Sequence, residues 1–156
     1  MVSFDVASLF TSIPQDLAVE TVELLLRSKY DATANRLRHA QILQLLKFCL
    51  RTYFTFDGII YEQVKGASMG SSISGRIAGA VLQRLESLVF QQHRPKFWAR
   101  YVGDTFVVIE PDHVLTFKES FNSIPSDIQF TREGEENNQL AFLHFLIFRK
   151  DCGSLL

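Results

Sequence analysis

The hydrophobic and polar pattern divides the chain into alternating strand-like and helix-like segments. Met1-Val2-Ser3-Phe4-Asp5-Val6 predicts a short strand, and Ser8-Leu9-Phe10-Thr11-Ser12 then turns the chain. Ser12 followed by Gln15 reads as a capping box, with Pro14 in an early helical position. Leu17, Val19, Val22, Leu24, Leu25 and Leu26 make the following helix apolar over a wide arc, ending near Lys29-Tyr30. Asp31-Ala32-Thr33-Ala34-Asn35 is a linker. A second helix is predicted from about Leu37 to Leu50, with Ile42, Leu45, Leu46 and Cys49 on one face.

Two strand-like runs, Thr52-Tyr53-Phe54-Thr55-Phe56 and Ile59-Ile60-Tyr61-Glu62-Gln63, flank Asp57-Gly58. Asp-Gly suits the tight primed turns that match strand twist, so this is the strongest hairpin signal in the chain. A loop from Lys65 to Ser72 follows, then a long helix to about Gln92 with Ile73, Ile77, Ala80, Val81, Leu85, Leu88 and Val89 at helical spacing. Phe97-Trp98-Ala99-Arg100-Tyr101 and Thr105-Phe106-Val107-Val108-Ile109 predict a second hairpin, with Asp104 at its tip. Asp112 is expected to cap a helix through Leu115, Phe117, Lys118 and Phe121, and Ile128-Gln129-Phe130-Thr131 to form a strand. Residues Glu133 to Asn138 read as an exposed acidic turn, and Gln139 to Phe148 as one or two closing strands. This order argues an α+β fold with helices on one face of a mostly antiparallel sheet.

Composition narrows the class. A chain of 156 residues that is 47% hydrophobic fits one domain with a real core, not a disordered segment. Fourteen Phe predict a core or groove floor built from flat rings. A net charge of -1 gives no general attraction to a polyanion, because non-specific nucleic-acid binding grows with the number of phosphates neutralised. Two cysteines, Cys49 and Cys152, are too few for a disulfide framework and read as free thiols. Phe4-Asp5 interrupts the opening apolar run at once, unlike a signal sequence, so secretion is not expected and the compartment stays open. The apolar stretches are too short to span a membrane, and no membrane partner is expected.

The candidate chemistry rests on two carboxylates. Asp5 lies in or at the end of the first strand, where burial is costly unless the group is hydrogen-bonded or meets a cation. If that strand pairs with the 97–109 hairpin, Asp5 and Asp104 converge. Two-metal phosphoryl transfer needs carboxylates of this kind around Mg²⁺. The competing reading makes Asp5 a turn-stabilising residue and Asp104 an ordinary hairpin residue.

Three ordered blocks carry a resemblance: Ser3-Phe4-Asp5-Val6-Ala7-Ser8-Leu9-Phe10-Thr11-Ser12-Ile13-Pro14, the segment from Gln63 to Gly75, and Phe97-Trp98-Ala99-Arg100-Tyr101-Val102-Gly103-Asp104-Thr105-Phe106. Phe142 to Ile147 adds a fourth. Together they resemble the palm core of reverse transcriptases, RNA-directed DNA polymerases, with the nearest likeness to those of Penelope-like retroelements. The resemblance implies a palm-like antiparallel sheet. It implies that Asp5 and Asp104 are catalytic, metal-binding residues working with Mg²⁺, and that RNA template and DNA primer are the family's partners. By the same resemblance, Phe10 would pack beneath the incoming sugar, and Gln63, Gly66, Met69, Gly70 and Ser71 would position template and nucleotide. Arg76, Lys96 and Arg100, with Arg94, are candidate backbone contacts, against the plainer reading of solvated surface.

The chain departs from the family pattern in ways that set the expectation of weakened or lost catalysis. Gly103 stands where the family has the first of two adjacent aspartates, a metal ligand, and glycine brings no side-chain oxygen. Ser68 and Ser72 replace prolines, and His144 stands where related enzymes have aspartate. Glu110, Glu133, Glu135 and Glu136 offer no obvious substitute ligand, the last three lying in the expected acidic turn. Most of the fingers and thumb that grip primer–template are expected to be missing. The two functional readings are a retroelement-derived palm, catalytically inactive and with its Mg²⁺ binding weakened or lost, and a non-catalytic RNA or protein interaction module that keeps the fold.

Overall fold

Strand β1 (Val2–Val6) buries Val2, Phe4 and Val6 on one face, while on the other Ser3 is buried and Asp5 is exposed. In the computed structural model of the chain, which describes residues 1–31, 33, 36–124 and 127–150, this strand lies inside a four-stranded sheet. The chain forms two compact units, one of Met1–Ala7 with Glu86–Leu156, the other of Ser8–Leu85.

The first unit holds the sheet. Strands β4 (Phe97–Tyr101), β5 (Asp104–Val108) and β6 (Phe130–Gly134) join β1 in the order β4-β5-β1-β6, with antiparallel neighbours throughout. Helix α5 (Val114–Ser123) covers one face, placing Phe117 against Phe4 and Phe121 against Phe130. Phe90, Trp98, Phe117 and Phe121 form a linked set of edge-on and stacked rings, the aromatic core that the phenylalanine content predicts. Asn122 ties the helix to the sheet, its side chain bonding both the N–H and the carbonyl of Phe130. Thr105 is fully buried, and its hydroxyl is satisfied by donating to the Phe4 carbonyl at 3.1 Å. Strands β7 (Gln139–Phe142) and β8 (Phe145–Phe148) form a separate hairpin; Phe142 lies against Phe106.

The second unit holds α1 (Leu9–Ser12), α2 (Gln15–Lys29), α3 (His39–Leu50), the hairpin of β2 (Thr52–Phe56) and β3 (Ile59–Gln63), and most of α4 (Ser74–Val89), which continues into the first unit. The expected Asp57-Gly58 turn is present, both residues having positive φ (48° and 73°).

Several local expectations are corrected. Ser12 and Gln15 form no capping box: the Ser12 hydroxyl donates to Leu9, and the Gln15 amide reaches the carbonyls of Leu50, Gln63 and Gly66 at 3.2, 3.3 and 3.3 Å. A long amide that can tie three segments together is drawn to those carbonyls rather than to its own helix start. The buried positions of α3 are Leu46 and Leu50; Leu45 and Cys49 face water. The deepest residues of α2 are Ala18 and Thr21, and Leu24 is exposed, so the buried stripe is narrower than the apolar arc. Asp112 sits within a 3-10 turn (Pro111–His113) and is not the residue that caps α5. Helix α4 ends at Val89 rather than Gln92, and β6 begins at Phe130 and runs on to Gly134. The linker expected at 31–35 and Cys152 lie partly or wholly outside the described residues.

Candidate active site

The β1–β5 register pairs Val2 with Val107, Ser3 with Phe106 and Phe4 with Thr105. One step further along the same ladder sets Asp5 opposite Asp104. Directly opposed residues of an antiparallel pair point to the same face, so the two carboxylates share the face away from α5. Asp5 is also paired with Thr131 of β6, whose hydroxyl donates to the Asp5 carbonyl at 3.3 Å.

The electrostatics show the proximity. The Asp104 carboxyl is pushed above its ordinary range, first by partial burial and then by the negative charge of Asp5. Both line a pocket of about 320 Å³ with Ser3, Thr131, Glu133 and His144. Glu133 is exposed, but on a strand rather than in a turn: β6 extends through it, and its register partner is Ser3 on the carboxylate face. His144, at the tip of the β7–β8 hairpin with φ 67°, lines the same pocket.

The turn beneath Asp104 differs from the expected tip. Val102 and Gly103 make the turn, and Asp104 is the first residue of β5. Val102 takes φ 56°, a left-handed conformation that costs a β-branched residue about 1–3 kcal/mol. The Arg100 side chain donates to the Val102 carbonyl at 3.2 Å and is itself held by the carboxylate of Glu86. Burial raises the Glu86 pKa, outweighing the stabilisation of its charge by Arg100. The buried Trp98 indole nitrogen completes no hydrogen bond, although it lies near enough to Glu86 to favour the charged form. Glu86, which the sequence did not single out, thus holds the arginine that bonds the Val102 turn before Asp104.

Other expected site residues have these settings. In the second unit, Phe10 is half-buried in α1, and its carbonyl accepts from Ala67 at 2.7 Å. Gly66, at φ 78°, lies so close to α1 that an added Cβ would meet Thr11 Cα at 2.6 Å and Phe10 O at 2.7 Å. The close backbone approach there is to the chain's own helix. The Gln63 amide donates to the Lys65 carbonyl at 3.0 Å, Met69 is exposed, Gly70 is in open space, and the Ser71 hydroxyl accepts weakly from Ile73. Arg76 is exposed on the first turn of α4. In the first unit, Lys96 pairs with Glu110 at 2.5 Å, and Arg100 is occupied by Glu86 and Val102, so both cations already meet partners of their own chain.

Among the described residues, no group of three or more His, Cys, Asp or Glu side chains is arranged to hold a metal ion. Mg²⁺ can be held by one or two carboxylates when water and substrate phosphates complete its shell. The Asp5–Asp104 pair fits that demand for one ion. It does not supply the fuller carboxylate set that two bridged ions need.

No protein-family model matches the chain, and no curated protein matches it. Solved structures do. Apo telomerase from Candida tropicalis aligns over 94% of this chain and 30% of its own, with a TM-score of 0.71 and 14% identity. A form of the same enzyme truncated from the C-terminal domain aligns over 94% and 33%, with a TM-score of 0.66 and 15% identity. Telomerase from Candida albicans in complex with a TWJ fragment of telomeric RNA aligns over 99% and 31%, at 0.67 and 13%. The chain spans about a third of the length of these neighbours. At such identities the likeness establishes architecture: this chain has a reverse-transcriptase-like α+β fold with a palm-like antiparallel sheet.

Proposed function

We propose that the chain is a reverse-transcriptase domain of retroelement ancestry, nearest in its sequence blocks to Penelope-like elements, whose catalysis is weakened or lost at Gly103. The observation that carries this reading is the facing of Asp5 and Asp104 on the side of the sheet away from α5, with Gly103 at the position of the family's missing aspartate. In the ancestral reaction, a primer 3′-hydroxyl loses its proton and attacks the α-phosphate of a deoxynucleoside triphosphate paired to an RNA template, breaking the bond to the β-phosphate and releasing pyrophosphate. Bound Mg²⁺ would supply charge neutralisation for the attacking and leaving oxygens. Asp5 and Asp104 would hold it. Phe10 would close off space beneath the sugar, and Gln63 with the Gly66–Ser71 loop would orient the template.

Loss of one carboxylate matters because phosphoryl transfer depends almost wholly on positioning and charge stabilisation. The internal pairing of Lys96 and Arg100 agrees with weakened attraction for a primer–template backbone. A primer-extension assay with an RNA template in Mg²⁺ and in Mn²⁺ tests the reading. Extension at background level is expected, and robust extension by the native chain contradicts it.

A further inference from the structure

One cation that the sequence marks out has no part in the carboxylate site. Lys96 is held by Glu110 and Arg100 by Glu86, whereas Arg94 is exposed and meets no hydrogen-bond or ion-pair partner among the described residues. Arg94 lines a cavity of about 460 Å³ in the first unit. Half-buried Phe90, Trp98 and Pro95 form its deeper wall, and exposed Ser87, Gln91 and Arg94 its outer one. Small-molecule sites have volumes of roughly 300–1,000 Å³ and this make-up, an apolar wall with a few polar groups.

The lining sets the chemistry of the ligand. Phe90 and Trp98 meet edge-on with centroids 5.2 Å apart, and Trp98 stacks on Phe121 at 5.7 Å. The accessible part of the indole is carbon, because its nitrogen is buried and lies near Glu86. A flat apolar ring suits such a wall. A nucleobase suits it less, since its polar edge would lie against carbon without partners. Arg94 is the one charged residue of the lining, and its planar fork takes a carboxylate through two parallel bonds. The C-terminal end of a helix disfavours an anion, but at the end of α4 that effect is muted. The carbonyls of Glu86, Leu88 and Val89 already accept from the N–H groups of Phe90, Gln91, Gln92 and His93.

We propose that this cavity is a binding site for a small planar aromatic carboxylate, its ring against Phe90 and Trp98 and its carboxylate on Arg94. The inference stands independently of the catalytic reading, since none of these residues lines the pocket of Asp5 and Asp104.

Trp98 is the only tryptophan of the chain, so tryptophan fluorescence reports on this cavity. Titration of the full chain with para-bromobenzoate, whose bromine quenches an indole it touches, tests the proposal, with neutral para-bromobenzamide as the uncharged counterpart. The native chain is expected to show saturable quenching by the benzoate with a Kd below about 1 mM. Arg94→Gln is expected to weaken the benzoate at least about tenfold, the loss of a charge-assisted pair, and to leave the benzamide unchanged. Ser87→Phe fills the cavity from an exposed helix position and is expected to abolish quenching by both, with an unchanged far-ultraviolet circular dichroism spectrum. Absence of saturable quenching in the native chain up to about 1 mM overturns the proposal. So does an Arg94→Gln chain that holds the benzoate as the native chain does. A folded Ser87→Phe chain that still binds the benzoate places the ring elsewhere and overturns the cavity as the site.

Discussion

Asp5 faces Asp104 across the β1–β5 ladder, and the charge of Asp5 adds to burial in raising the Asp104 pKa. Two like charges set side by side are a cost in the absence of a cation.

Asp104→Asn is therefore expected to stabilise the fold at neutral pH. A carboxyl whose folded pKa is raised binds more protons folded than unfolded. Its favourable contribution is complete below the unfolded value of about 3.9 and is lost as pH rises through the raised folded value. The gain in the variant should be on the order of 0.5 kcal/mol near pH 7 and should vanish below about pH 3.9. Urea unfolding across that range measures it.

The Glu86–Arg100 pair is expected to hold the carboxylate hairpin. Glu86→Gln leaves a largely buried guanidinium without its charge partner and should cost about 2 kcal/mol in urea unfolding. Because Arg100 also braces the strained Val102 turn, the variant should speed amide exchange at 102–104 more than in β6.

Gly66→Ala should be among the most damaging single substitutions in the second unit. Its φ of 78° disfavours any side chain, and the new Cβ would strike backbone atoms of α1 that no rotamer change can move aside. A loss of at least about 2 kcal/mol is expected, whereas Gly70→Ala, in open space, should be nearly neutral.

Much of this arrangement is readable from local chemistry. Asp57-Gly58 announces its turn, the apolar runs announce β1, β4 and β5, and the pairing of β1 with the second hairpin follows from asking where Asp5 finds a partner. What escapes the sequence depends on register or on distant partners. Glu133 belongs to an acid-rich run that reads as a turn, yet pairing with β1 continues through it and sets it in the carboxylate pocket. Gln15 resembles a capping residue because its three carbonyl partners lie 35 to 51 residues away. The tie between Glu86 and Arg100 joins a helix to a strand, and no spacing rule within either element exposes it. Leu45 and Cys49 share the helical period of Ile42 and Leu46, but only packing decides which flank of that stripe is covered.

The central claim is that Gly103 breaks an inherited cation site built on Asp5 and Asp104. Gly103 is buried in the turn directly before Asp104. The most direct measurement is a Mn²⁺ titration followed by electron paramagnetic resonance on the native chain, on Gly103→Asp, and on Gly103→Asp with Asp5→Asn. Gly103→Asp should bind Mn²⁺ at least about tenfold more tightly than the native chain, a gain of about 1.4 kcal/mol, and Asp5→Asn should abolish the gain. Equal binding by the native chain and Gly103→Asp would contradict the account.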